Sequence, residues 1–199
     1  DNNTGSGRTY LAGVVVDGAL LVDDNATPPA AGYYASPSLT ITGSSIGTKQ
    51  GFSIIKYTGN GIGGATLAHG LTQAPEFVIV KDIDDSDNWQ LFHAGAQTND
   101  AKQLQFSTAA AADNAGVWAF VAPTSSVITH GGGGTNDNNN NNICYAWHSV
   151  PGLQKFGSCK GSGTSAAPDF VELGFKPSIV WVKRTDNTGN WTVWDSTRN

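Results

Sequence analysis

The chain has 199 residues, with 11 basic and 16 acidic side chains and a formal net charge of −5. The few basic residues are scattered, which argues against a surface that tracks a nucleic-acid backbone. No apolar run reaches the ~18 residues that a membrane helix requires, so no membrane insertion is expected. Charged residues make up 14% and glycines number 25, and this composition is typical of an all-β protein with many turns.

The N-terminal part, residues 1–48, is predicted to contain a hairpin and a linker that end a preceding module. Within residues 10–23, two short apolar runs flank Asp17-Gly18, and a two-residue Asp-Gly link is a strong hairpin signal. Residues 24–37 combine two adjacent prolines with small residues, which favours an irregular linker. A short strand is predicted at 38–42.

A first β module is predicted at residues 49–152. Pro75 is expected to lie at the mouth of a strand, because proline cannot donate a hydrogen bond to a sheet ladder. Short strands separated by Gly, Pro and Asn turns favour an all-β fold built from β-sandwich or jelly-roll-like modules. The predicted strands are 52–57, 77–81, 89–93, 104–107, 118–121, 126–129 and 143–148, followed beyond a Pro151-Gly152 turn by 154–159. An Ala-rich patch at 108–112 is predicted to form one helical turn at most.

Part of this module is duplicated. Pro75–His93 recurs as Pro177–Asp195 at a constant offset of 102 residues without a gap. A period near 100 residues is too long for a solenoid and indicates tandem copies of a small domain. We interpret residues 153–199 as the start of a second copy, with strands at 170–172, 179–183 and 191–195. We expect that copy to be truncated or to be completed by another segment.

Residues 130–142 form a low-complexity segment, HGGGGTNDNNNNN. Ordering four glycines and a run of asparagines costs conformational entropy and buries little apolar surface. The segment is therefore predicted to be a flexible hairpin loop. The alternative is a ladder of stacked asparagine amides between identical subunits of a fibre.

Cys144 and Cys159 are the two cysteines of the chain. If Pro151-Gly152 were the centre of a tight turn, the two would face each other across a hairpin and could form a disulfide. Because Pro-Gly twists against a tight hairpin, the register could also slip. Two free buried thiols are the alternative.

The densest acidic cluster lies in the loop from Asp82 to Asn88. Alternating oxygen ligands at Asp82, Asp84, Ser86 and Asn88 would suit Ca²⁺. The equivalent loop of the second copy has Arg184 in place of Asp82. A solvated hairpin tip is the alternative interpretation for both loops.

Exposed aromatic side chains could bind a glycan by stacking on sugar rings. The candidate contacts are Trp181, Trp194, Tyr57 and Asn60, the last in the loop at 58–64. Packing in the core is the alternative role for these aromatics. No catalytic residues can be assigned, because the four histidines lack metal-ligand spacing and no nucleophile elbow is present. The chain is therefore not expected to be an enzyme, and no cofactor other than the calcium above is expected.

Several strings together resemble an uncharacterised module of tail-fibre-like and other virion structural proteins of marine bacteriophages. They are GFSIIKYTGNG (51–61), HGLTQAPEFVIVK (69–81), NWQLFH (88–93), QFSTAAA (105–111), AWHSVPGLQKFGSCKGSG (146–163) and GFKPSIVWVKRTDNTGNWTVWDSTRN (174–199). The resemblance covers about three quarters of the chain and follows both order and spacing. The segment VVVDGALLVDD (14–24) is similar to the strands that often precede that module.

The resemblance implies a structural and adhesive module of a phage tail fibre, located on the virion. Such proteins are β-rich and form homotrimers or other homo-oligomers, and their loops can contact a host-surface glycan. One alternative is a carbohydrate-binding module of a secreted or cell-surface protein. Another is a subunit of a self-assembling extracellular filament, in which a strand from the next subunit completes the second copy.

Overall fold

The computed structural model describes residues 38–96, 102–106, 108–112, 116–119, 121–163 and 170–197, and the backbone of two short strands near the N-terminus. These two strands, β1 (Val14–Val16) and β2 (Ala19–Leu21), pair antiparallel. The hairpin predicted for residues 10–23 is thereby confirmed. The linker predicted at 24–37 lies outside the described residues.

Ten further strands and one 3-10 turn (Ala94–Ala96) complete the regular structure of the described residues. The strands are β3 (Thr40–Gly47), β4 (Phe52–Thr58), β5 (Ala65–Ala68), β6 (Phe77–Asp82), β7 (Gln90–His93), β8 (Leu104–Gln105), β9 (Val127–His130), β10 (Asn141–Trp147), β11 (Ile179–Val182) and β12 (Thr192–Asp195). The all-β class with several antiparallel sheets is as predicted.

The main sheet has six antiparallel strands in the order β3-β4-β10-β6-β7-β8. Strand β10 lies near its centre and pairs along its length with β4 on one side and β6 on the other. The side chains that β10 turns to one face are small or polar: Asn142, Cys144 and Ala146 are all fully buried. Their small volume lets a second layer approach this face closely.

That second layer is the two-stranded sheet β5–β9, which makes the fold a β-sandwich. Leu67 and Ile128 from the small sheet pack in one core with Val78 and Val80 from the main sheet. The indole of Trp118 is also buried in this core and donates a hydrogen bond to the carbonyl of Leu91 at 3.3 Å. The β-sandwich architecture predicted from the strand pattern is therefore present.

The opposite face of the main sheet is covered by residues of the second repeat. Phe77 and Ile79 of β6 form a second core on this face. Phe156 stacks on Phe77 with 5.5 Å between ring centroids. The Trp191 indole N–H donates to the carbonyl of Gln105 at 3.0 Å. Residues 153–197 thus pack against the first module.

The two copies of the repeat fold into the same hairpin. In the first copy Phe77 pairs with His93 and Val80 with Gln90. In the second copy Ile179 pairs with Asp195 and Val182 with Thr192. Each pair in one hairpin is displaced by the repeat offset of 102 residues from its counterpart, so the duplication predicted from sequence is a duplication of structure.

Several predicted strands differ from the observed ones. The main sheet begins with β3, upstream of the module boundary placed at residue 49. The described residues of 118–121 form a turn, while 154–159 and 170–172 are irregular apart from a single bridge between Val150 and Gln154. Strand β5, with its small alanines, was missed. A strand at 154–159 has no place beside β10, because both edges of β10 are already paired.

The prediction of a flexible loop at 130–142 is wrong, because this segment packs against the glycine-rich turn after β4. The Gly61 N–H donates to the carbonyl of Asn136 at 2.9 Å, and the Asn139 N–H donates to that of Gly59 at 2.9 Å. A Cβ on Gly59 would lie 2.2 Å from the carbonyl oxygen of Asp137. Glycine at this position therefore permits close backbone contact, and contacts within the chain offset the entropy of ordering.

Asparagine side chains of this segment also bond within the chain. Asn140 Nδ2 donates to Asp82 Oδ2 at 2.8 Å. Asn136 and Asn142 are fully buried. The alternative of an asparagine ladder between subunits therefore does not apply to these three amides.

Candidate functional site

The acidic end of the main sheet is centred on Asp82, the last residue of β6. Its carboxylate is fully buried. Oδ1 accepts hydrogen bonds from the backbone N–H groups of Asp84 at 2.9 Å and Asp85 at 3.1 Å. Oδ2 accepts the bond from Asn140 noted above. These donors satisfy part of the carboxylate's capacity and hold it in a fixed orientation.

Two other carboxylates approach Asp82. One oxygen from each of Asp82, Asp87 and Asp137 lies within 4.8 Å of the others. Asp137 is held by the Gly134 N–H, which donates to its Oδ2 at 2.7 Å. Burial, followed by the negative charges of Asp137, Asp85 and Asp82, raises the pKa of Asp87 above its ordinary value. We name Asp82, Asp87 and Asp137 the acidic triad.

Of the four calcium ligands predicted from sequence, only Asp82 belongs to the acidic triad, and the other three make local contacts elsewhere. Asp84 Oδ2 instead accepts bonds from the backbone N–H of Asn141 at 2.7 Å and from its side chain at 2.8 Å. The Ser86 N–H and hydroxyl bond to the neighbouring Asp85 carboxylate. Asn88 Nδ2 donates to Gln105 Oε1 at 3.2 Å. Alternation along a loop does not bring side chains together when the loop folds into local turns.

Two of the predicted glycan contacts are not available as exposed stacking partners. Tyr57 is fully buried, and its hydroxyl donates to the carbonyl of Thr135. The glycan-binding role predicted for Tyr57 is therefore wrong. Asn60 is half-buried, and its Oδ1 accepts bonds from the Ile62 N–H at 2.9 Å and Asn136 Nδ2 at 3.0 Å. Its side chain serves the turn after β4.

The other two, Trp181 and Trp194, are 48% and 50% exposed. They lie on opposite faces of the β11–β12 hairpin, because Trp181 pairs with Val193 and Trp194 pairs with Val180. Trp181 also makes an edge contact with Phe106, with 5.5 Å between ring centroids. The two indoles cannot form one coplanar platform, so a glycan could stack on only one of them.

The disulfide between Cys144 and Cys159 is not formed. Both thiols are free, Cys144 buried and Cys159 exposed. Cys144 lies on β10 opposite Ile55 of β4 and Val80 of β6. Pairing on both sides leaves β10 no edge for the segment that carries Cys159. Burial raises the pKa of the Cys144 thiol well above its usual range.

The two thiols are expected to differ sharply in reactivity. In the native protein at pH 8, a disulfide reagent such as DTNB should label one thiol, Cys159, rapidly. Cys144 should react only on unfolding, because a buried thiol with a raised pKa supplies little thiolate. Release of two equivalents of thionitrobenzoate from the native protein, or of none from the unfolded protein, would contradict this assignment. Cys159→Ser should abolish labelling of the native protein and leave one reactive thiol after unfolding.

Comparison with known proteins identifies the family of the chain but no function. A family described as "Domain of unknown function (DUF7483)" matches residues 32–199. No curated protein and no solved structure is significantly similar to the chain. Among the described residues, no helix is long and apolar enough to cross a membrane. The chain belongs to the DUF7483 family.

Proposed function

We propose that this member of the DUF7483 family is a structural module of a homo-oligomeric virion appendage such as a tail fibre. The bacteriophage resemblance described above supports this assignment, and so do the β-sandwich architecture and its duplicated hairpin. In this proposal the β11–β12 hairpin forms a contact with a second copy of the chain. The role is mechanical and adhesive, and no reaction is involved.

The observation that carries the proposal is the contrast between the two copies of the hairpin. In the first copy, Val80 and Leu91 are 0% exposed and Phe92 is 2% exposed. The equivalent residues of the second copy are Val182, Val193 and Trp194, which are 45%, 51% and 50% exposed. Val182 and Trp194 lie on one face of the β11–β12 hairpin and Val193 lies on the other. The apolar pattern of a covered hairpin is thus retained at positions that stay exposed among the described residues, and exposed apolar surface of this kind marks interaction sites.

The hydrogen-bonding edges of the hairpin are also open. The first hairpin lies inside the main sheet, where β10 pairs with β6 and β8 pairs with β7. Among the described residues, β11 and β12 pair only with each other. An unpaired strand edge is a template for another strand. A two-stranded hairpin is marginally stable alone, so added strands would stabilise it.

A second copy of the chain is the partner that we propose for the exposed β11–β12 hairpin. Strand β3 is eight residues long and, among the described residues, pairs only with β4 at one edge of the main sheet, so a second copy could pair with this edge as well as with the hairpin. Contact between unlike surfaces of identical chains generates rings or filaments, and contact between like surfaces generates dimers. Either arrangement covers edges that would otherwise promote uncontrolled aggregation.

The face of the hairpin that carries Val182 and Trp194 provides the test. We expect the wild-type chain to form a discrete oligomer by mass photometry and light scattering. Val182→Thr with Trp194→Thr should shift the population to monomer at the same concentration, because both changes remove apolar contact and keep a β-favouring residue. Leu153→Thr is the matched control, since Leu153 is 54% exposed but lies outside the hairpin.

A wild-type chain that is monomeric at micromolar concentration would overturn the contact with a second copy. The location on a virion is tested separately. The chain should co-purify with intact phage particles, and immunogold labelling should place it on an appendage. Recovery of the chain only from particle-free fractions would overturn the virion assignment.

A further inference from the structure

We infer that the acidic triad, together with the side-chain oxygen of Asn142, binds a calcium ion. The site joins three separate segments: the end of β6 (Asp82), the β6–β7 loop (Asp87) and the asparagine-rich segment (Asp137). It is distinct from the loop site predicted from sequence, with which it shares only Asp82. It is also independent of the proposed assembly function.

A second, independent observation comes from Asn142. Its side chain is fully buried, and its Oδ1 has no hydrogen-bond partner. The Nδ2 of the same amide donates to the carbonyl of Asn140 at 3.0 Å. A buried oxygen without a partner costs about 1–3 kcal/mol, so an oxygen-seeking ligand beside it would offset a definite penalty.

The sheet register places the Asn142 side chain on the same face of the sheet as Asp82. Asn142 of β10 pairs directly with Asp82 of β6, and directly opposed residues place their side chains on the same face about 4.5–5.5 Å apart at Cβ. On its other side Asn142 pairs with Tyr57 of β4. The hydroxyl of Tyr57 donates to the carbonyl of Thr135 and does not bond the unpartnered oxygen.

Among the described residues no direct ion pair neutralises the acidic triad, although the Lys81 ammonium lies nearby. Lys81 is the neighbouring base, but its Nζ donates to the backbone carbonyls of Asp82 and Asp85. The three carboxylates lie within 4.8 Å of one another, a distance at which like charges repel. A divalent cation between them would remove that repulsion.

The donor set selects calcium. All four protein ligands would be oxygens, which excludes the soft metals that prefer sulfur or imidazole. Calcium accepts six to eight oxygens in irregular geometry, so water could complete the shell. Magnesium requires near-ideal octahedral geometry. Three carboxylates from separate segments and an amide fixed on β10 are less suited to provide that geometry.

The second repeat is a natural counterexample. Arg184 stands at the position equivalent to Asp82, and Gly189 stands at that equivalent to Asp87. Arg184 pairs instead with Asp186 at 2.7 Å, on the surface. The second loop therefore lacks the carboxylates equivalent to Asp82 and Asp87 and is not expected to bind calcium.

Calorimetric titration with CaCl₂ after chelator treatment tests the inference at pH 7. We expect one calcium per chain and a rise in Tm with calcium concentration, since a ligand that binds only the folded state stabilises it. Asp87→Asn should weaken binding at least tenfold, and so should Asp137→Asn. Asp186→Asn, in the equivalent loop of the second repeat, should leave the affinity unchanged.

Three outcomes would overturn the inference: no heat and no Tm shift with calcium, equal affinity in wild type and Asp87→Asn, or tighter binding of magnesium than of calcium. Asp87 is half-buried in a loop, so its isosteric replacement should fold and keep the test decisive. Circular dichroism of each variant without metal checks this. Loss of oligomerisation in the hairpin variants would not affect calcium binding, which separates this test from the previous one.

Discussion

Replacing Asn136 with Asp is expected to lower the free energy of unfolding by about 3–5 kcal/mol, as for a buried charge whose partners are removed. Asn136 Nδ2 donates to Asn60 Oδ1 at 3.0 Å, to the Ile62 carbonyl at 3.0 Å and to the Gly131 carbonyl at 3.2 Å. A carboxylate oxygen in place of Nδ2 would lie beside three acceptor oxygens and could donate a hydrogen bond to none of them. The site is fully buried, so water cannot compensate.

Asn136 has this large expected effect because it joins two turns. Its Oδ1 accepts from the Asn60 N–H at 2.9 Å, and its carbonyl accepts from the Gly61 N–H at 2.9 Å. The amide thus connects the turn after β4 with the asparagine-rich segment and with Gly131. Losing it would remove contacts between segments about 75 residues apart. Bringing such distant segments together costs loop-closure entropy when the chain folds, and these contacts offset that cost.

The matched control is Asn138→Asp, two residues away in the same run and exposed. We expect this change to alter the free energy of unfolding by less than about 0.5 kcal/mol, as for an ordinary surface substitution. Urea denaturation of both variants at pH 7 measures the difference. Equal midpoints for Asn136→Asp and Asn138→Asp would show that the buried amide network does not stabilise the fold.

Acid is expected to destabilise the protein in the range from pH 6.5 down to about 4. Two buried histidines cause this: burial lowers the pKa of His69 from 6.5 to about 4 and that of His130 from 6.5 to about 3. Both nitrogens of His130 lack a partner, and its ring packs against Tyr57 and Trp118. Charging such a ring inside the core is strongly unfavourable.

The direction follows from proton linkage. Above pH 6.5 both histidines are neutral in the folded and unfolded states, so they do not make stability depend on pH. Below pH 6.5 the histidines bind protons in the unfolded chain but stay neutral in the folded chain, so the free energy of unfolding falls. Each histidine contributes about 1.4 kcal/mol per pH unit, so the two together cost on the order of 5 kcal/mol by pH 4.5.

Chemical denaturation between pH 7.5 and 4.5 measures this slope. His130→Leu removes one titrating ring while keeping an apolar side chain of similar size, and it should reduce the slope by about 1.4 kcal/mol per pH unit. A free energy of unfolding that stays constant from pH 7 to pH 5 would contradict the assignment. So would an NMR titration showing that His130 protonates near pH 6.5 in the folded protein.

Sequence reasoning located the acidic site only in part. The carboxylates of the β6–β7 loop were evident, and Asp82 belongs to the site. Asp137 was hidden in a segment whose composition favours disorder, and it meets Asp82 only because β10 pairs with β6. Nothing in the sequence singled out Asn142. Its side-chain oxygen is buried without a partner only because β10 pairs with β4 on one side and β6 on the other.

The amino-acid sequence by itself determined the local and periodic features of this protein. The apolar alternation and the turn residues of Phe77–His93 and of its repeat specify the same hairpin twice, because these forces act between near neighbours along the chain. Tertiary structure alone decided which neighbours each strand has. It placed β10 between β4 and β6, separated Cys144 from Cys159, buried Tyr57 and ordered the asparagine-rich segment. Those outcomes depend on contacts between distant residues, whose energies no local pattern encodes.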